Sequence, residues 1–251
     1  MSLLQGRVAL VTGASRGIGA AVAELLAKEG ARVVRVARTL TSQTRGAVQD
    51  IACDVTDWNQ VSRLASTIID QQGPPDIVVS NAGAFLLAPL ESTEVADLDR
   101  QVAVNLRAPF AVAKAFLPSM GQAGRGSFIT VGSVADHIGF PENAAYAASK
   151  YGLRGLHETL LEEYRGSGVR LTLVSPGPTD TSVWDPFEPD RRQGFIPRAG
   201  MLRPSDVAEA VLFVATRQAH VLIDWLRLGP TGPKKSPHRT RETRVSDADQ
   251  R

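Results

Sequence analysis

The chain has 251 residues, of which 43% are hydrophobic and 22% charged, and it suits one large soluble α/β domain. No apolar run approaches the roughly 20 residues that span a bilayer, and Met1 to Gly6 lack the pattern of a signal peptide. The single cysteine, Cys53, excludes an intrachain disulfide and points to a reducing cytoplasm. The formal charge of +2 is unevenly placed: Pro230 to Arg251 hold six basic and three acidic residues, which leaves the body at −1. The pI of 8.9 therefore describes the tail and gives no reason to expect nucleic-acid binding.

In chain order, Val8 to Val11 reads as a strand that opens into a glycine-rich turn and a helical pattern over Gly17 to Lys28. Strands Arg32 to Val36 and Val48 to Cys53 follow, then a helix over Trp58 to Gln71 and a strand over Ile77 to Ser80. One long helical pattern covers Glu94 to Met120. After it come strand Ser127 to Gly132, helix Ala144 to Ser167, strand Arg170 to Ser175, helix Ser205 to Thr216 and a short strand, Trp225 to Leu228. Strands separated by helices predict right-handed crossovers and a parallel sheet covered on both faces. Burial on both faces accounts for the unbroken apolar run Ile77-Val78-Val79. The expected architecture is a single doubly wound, Rossmann-type α/β domain of about seven mostly parallel strands over residues 1–230. Residues 231–251 are polar, rich in charge and proline, and expected to be a disordered basic tail.

Thr12 to Gly19 reads TGASRGIG, with Gly13, Gly17 and Gly19 spaced G-x-x-x-G-x-G and Ser15, Arg16 and Ile18 between them. Glycines at such a turn permit the bend off the strand, let a pyrophosphate approach the backbone and allow helix to pack on sheet. Dinucleotide sites selective for NAD(H) place a carboxylate at the end of the second strand. Here Ala37 stands there, followed by Arg38, with Arg16 in the turn. Two guanidiniums suit a 2′-phosphate, so NADP(H) is expected over NAD(H).

Tyr146 and Lys150 lie one helical turn apart, thirteen residues after Ser133. A free phenol is a weak base near neutrality, and a neighbouring ammonium, helped by the positive nicotinamide of the oxidised cofactor, is expected to lower its pKa. Tyr146 then gives a proton to a carbonyl oxygen that Ser133 positions. The chain reads as an oxidoreductase of a small carbonyl or alcohol, with no metal and no membrane or nucleic-acid partner.

Together these residues resemble the short-chain dehydrogenase/reductase family over roughly residues 6 to 230. Further carriers are Asp54-Val55, Asn81-Ala82-Gly83, Asn105, and Pro176-Gly177 leading through Thr179 to Thr181. The resemblance implies that these cofactor-side residues line the dinucleotide site and that Lys150 also holds the nicotinamide ribose. It implies that Asn105 holds a water linking Lys150 to solvent, and that the subunits form a homodimer or homotetramer on the helices carrying Asn105 and Tyr146. Ser182 to Arg203, with Trp184, Phe187, Phe195 and Met201, falls where the family places a mobile lid. His137 reads as an ordinary loop histidine. Three departures stand out: Ser80 where a second Asn is common, Thr179 in an often aliphatic place, and an ending without Val-Asp-Gly-Gly. That ending resembles the branch acting on 3-hydroxy acids, hydroxy amino acids and small ketones. It speaks against a 3-oxoacyl thioester reductase, and intact Ser133, Tyr146 and Lys150 speak against a non-catalytic NADP(H)-binding redox sensor.

Overall fold

Eight strands form one sheet in the computed structural model, which describes residues 2–232. The elements are β1 (Val8–Thr12), α1 (Gly17–Lys28), β2 (Arg32–Ala37), β3 (Gln43–Arg45), β4 (Val48–Ala52), α2 (Trp58–Gln72) and β5 (Ile77–Ser80). They continue with α3 (Val95–Val102), α4 (Ala108–Gln122), β6 (Gly126–Val131), α5 (Ala144–Glu163), β7 (Val169–Pro176), α6 (Pro204–Ala215) and β8 (Trp225–Leu228). Strand order is β3-β4-β2-β1-β5-β6-β7-β8. β1 pairs in parallel with both β2 (Val8 opposite Arg32) and β5 (Ala9 opposite Ile77). The chain winds outward in both directions from β1, so a crevice opens beyond the carboxyl ends of β1 and β5.

Each face of the sheet has its own core. Val22 and Leu26 of α1 and Val207 and Val211 of α6 pack on one side. Val61 and Leu64 of α2 and Phe116 and Leu117 of α4 pack on the other. Asp57 starts α2 by accepting from the backbone N–H groups of Asn59 (2.8 Å) and Gln60 (3.3 Å), as a helix N-cap should. Cys53 belongs to the second core, and burial pushes its thiol up to about 11, which makes it packing and not a nucleophile.

Two elements differ from the sequence reading. β3 is an added antiparallel edge strand whose three residues, Gln43, Thr44 and Arg45, are all exposed, so no apolar alternation announces it. The long helix expected over Glu94 to Met120 is divided by a π turn at Ala103–Arg107. The expected tail of residues 231–251 lies outside the described residues apart from Thr231 and Gly232.

Candidate active site

A cavity of about 960 Å³ lies at the carboxyl end of the sheet, where β1 and β5 diverge. Gly13 and Gly17 have φ of +66° and +58°, a region that residues with a Cβ avoid. A Cβ on Gly13 would meet the Ala82 Cα at 2.8 Å, and one on Gly19 would collide with the Gly13 carbonyl. The turn is therefore pressed against Asn81-Ala82-Gly83, and Asn81 ties the two strand ends by donating from Nδ2 to the Thr12 carbonyl (2.9 Å). α1 has no side-chain cap and no acidic residue in its first turn, which leaves its leading N–H groups and positive dipole end for an anion. A dinucleotide pyrophosphate fits that donor set. Arg16 and Arg38 line the same end of the cavity. Arg38 is 73% exposed and only 4.0 Å from Asp54, a loose pairing that leaves its guanidinium free for a ligand.

Ser133, Tyr146 and Lys150 line the cavity together. Ser133 begins a short 3-10 turn (Val134–Asp136), where its Oγ accepts from the Ala135 N–H at 3.2 Å. That leaves its hydroxyl hydrogen for a ligand oxygen. Lys150 donates to the Val131 carbonyl (3.3 Å), and its Nζ stands 5.7 Å from the centroid of the Tyr146 ring. The expected lowering of the Tyr146 pKa is not found in the protein alone. Burial pushes the phenol up to about 12, the Ser133 hydroxyl opposing and the Asp136 charge adding to the rise. Burial also pulls Lys150 down to about 8, against the charge of Asp136. Desolvation is the largest cause for both groups.

Every residue expected at the site lines the cavity except Asn105. Asn105 stands behind it, fully buried in the π turn. Its Oδ1 accepts from Ala84 N (2.9 Å), and its Nδ2 has the Ala84 carbonyl, Gln101 Oε1 and Ser149 Oγ within 3.0 Å. The amide is committed to protein and fixes the loop after β5 against α5. π turns of this kind recur at functional sites because they shift the helical ladder by one residue.

Two features were not anticipated. Asp136, with no exposed surface, accepts from Ser133 N (3.3 Å) and from Ser175 Oγ (2.5 Å), and its other oxygen meets His137 Nδ1 at 2.5 Å. Arg227 of β8 donates to His137 Nε2 (2.9 Å), which places the ring proton on Nδ1 toward Asp136. His137 thus braces the Ser133 turn from behind and does not line the cavity. The second is Phe85, just after Asn81-Ala82-Gly83, whose ring packs on those of Tyr146 (4.9 Å), Trp184 (5.0 Å) and Phe187 (5.4 Å). Trp184, Phe195 and Met201, from the segment between Ser182 and Arg203, line the cavity beside it, as a lid would. Trp184 Nε1 donates to the Thr179 carbonyl (3.0 Å), so the segment is docked on the residues that follow β7. Neither feature carries a signal in one sequence, since a lone Asp or Phe in a loop does not reveal its burial.

A doubly wound sheet, a glycine cradle at its switch point and a half-buried Tyr146 beside the buried Lys150 define a dinucleotide-binding oxidoreductase. The chain belongs to the short chain dehydrogenase family, whose sequence profile matches residues 7–192. It is 36% identical over 232 residues to a D-threitol dehydrogenase of Mycolicibacterium smegmatis, covering 87% of this chain and 89% of that one. Among solved structures it is similar to a metagenomic short-chain oxidoreductase in complex with NADP (34% identity, TM-score 0.75, 90% of this chain and 98% of that one). It is also similar to the closed form of serine dehydrogenase complexed with NADP+ (25% identity, TM-score 0.81, 94% of this chain and 100% of that one).

Proposed function

We propose that the protein transfers hydride between NADP(H) and a small secondary alcohol or carbonyl compound, with Tyr146 as the proton donor and acceptor. The observation that carries this reading is convergence. The glycine cradle and the Ser133, Tyr146 and Lys150 side chains share one cavity, whose far wall is aromatic. Bound NADPH supplies hydride from its nicotinamide ring. Arg16 and Arg38 favour the 2′-phosphate, since Ala37 offers no carboxylate to repel it. Ser133 donates to the substrate oxygen, and Tyr146, protonated throughout the neutral range, delivers its proton there. Lys150 holds the nicotinamide ribose, and its charge favours the phenolate left behind. Asn105, behind the cavity, holds a water that links Lys150 to solvent for reprotonation. The segment between Ser182 and Arg203 excludes water over the reacting atoms.

The similar proteins named for D-threitol and for serine act at alcohols that bear further polar groups, and we place this substrate in that range. We read the assembly as a cytoplasmic homodimer or homotetramer, supported by exposed Leu98, Phe110 and Tyr151 on α3, α4 and α5. Tyr146→Phe keeps the ring and its packing on Phe85 but removes the proton. Turnover should fall by at least about 10²-fold while NADPH affinity, read by fluorescence titration, changes little. Retention of most activity would overturn the role of Tyr146.

A further inference from the structure

Asn143 ends the loop before α5, one turn ahead of Tyr146, at the position that caps the helix. Asn is favoured there because its side-chain oxygen accepts a first-turn N–H. Here it makes no such bond. The residue is 5% exposed and lines the same cavity as Tyr146, and its Oδ1 is buried with no hydrogen-bond partner among the described residues. A buried acceptor without a donor leaves its lost hydration uncompensated. Rotation about the soft terminal torsion of the amide turns either polar end to the cavity.

A second observation comes from the residue before it. Glu142 has φ +61°, a left-handed conformation that a residue with a Cβ disfavours. It is held there from two sides. Its carbonyl accepts from Ala88 N (2.8 Å), and its carboxylate pairs with Arg192 of the segment over the cavity. Strain maintained by two long-range contacts fixes the backbone that presents Asn143.

We propose that Asn143 is a substrate-specificity residue that hydrogen-bonds a second polar group of the substrate, a hydroxyl or amine one or two carbons from the reacting carbon. Asn143 and Tyr146 line this one cavity three residues apart at the start of α5, which limits the ligand groups they meet to one short molecule. Two ligand atoms held by Asn143 and Tyr146 are then close neighbours on one short chain. The aromatic wall of Phe85 and Trp184 accepts the carbon skeleton, and Asn143 selects the one that is hydroxylated. This inference rests on the reading of the site as a carbonyl reductase.

The test compares 2-butanone with 3-hydroxy-2-butanone and 4-hydroxy-2-butanone, using the full chain and NADPH. At least one hydroxyketone should exceed 2-butanone in kcat/KM by about tenfold or more, and Asn143→Leu, which keeps the volume without the polar ends, should erase that ratio. A ratio near one in the unaltered protein overturns the proposal without need of any variant. So does an Asn143→Leu protein that loses activity on both ketones in equal proportion, which is the mark of a structural role. If the unaltered protein turns over no ketone at all, the reductase reading itself falls, and this one with it.

Discussion

Lys150 carries a cost that can be read apart from catalysis. Its pKa in the folded protein is about 8 against an ordinary 10.5, so between those values the unfolded chain binds more protons and stability rises with pH. Below about 8 the fold bears the whole penalty of a buried ammonium, on the order of 3 kcal/mol. Lys150→Met removes the charge and keeps the length. Without cofactor, its unfolding free energy at pH 7 should exceed the parent's by roughly 2–3 kcal/mol, the gain fading toward pH 10.5 while turnover is lost. A variant less stable than the parent at pH 7 would show that Lys150 is structural. Ser133, Tyr146 and Lys150 can be singled out in the sequence by their spacing, and the structure brings all three to one cavity. Asp136 and Asn143 are not, because their meaning lies in burial and missing partners, which spacing does not encode. Spacing likewise shows the ammonium beside Tyr146 but not the desolvation that raises the phenol in the protein without cofactor.

Among the elements, strands and helices with an apolar face are readable, and the two departures carry no signal that sets them apart. β3 is a three-residue exposed edge, and the π turn has the composition of the helices around it. The segment over the cavity, without periodicity, was legible only as an excursion rich in aromatics. Its construction is now specific. Arg198 reaches Asp180 (2.7 Å), Asp185 (2.5 Å) and the Thr181 carbonyl (3.2 Å), joining the start of the segment to its end. Arg198→Ala should loosen this clasp and not the chemistry beneath it. We expect KM for the carbonyl substrate to rise about tenfold, equivalent to about 1.4 kcal/mol, with faster proteolytic nicking within residues 182–203. Unchanged KM and unchanged nicking would show that the aromatic contacts alone hold the segment.

At the scale of the whole molecule, winding outward from β1 places two kinds of chemistry in one crevice. The cradle of Gly13, Gly17 and Gly19 and the arginines line this crevice together with Tyr146 and the aromatic residues Phe85 and Trp184. The parallel sheet follows from the alternation of short β-branched runs with amphipathic helices, which is why the α/β architecture is readable before any coordinates. The depth of the substrate end is not, since it depends on loops meeting from β5, β6 and β7. The central claim is direct transfer of hydride from NADPH to a small carbonyl carbon in this crevice. It is tested by incubating the full chain with NADPH deuterated at nicotinamide C4, on one face and then the other, with a panel of small hydroxyketones. The alcohol product is read by mass spectrometry. Deuterium on the new carbinol carbon from one face only, with kcat/KM for NADPH above that for NADH, is the result predicted. A protein that binds NADPH yet delivers no label to any member of the panel, or that uses NADH equally well, would contradict the account.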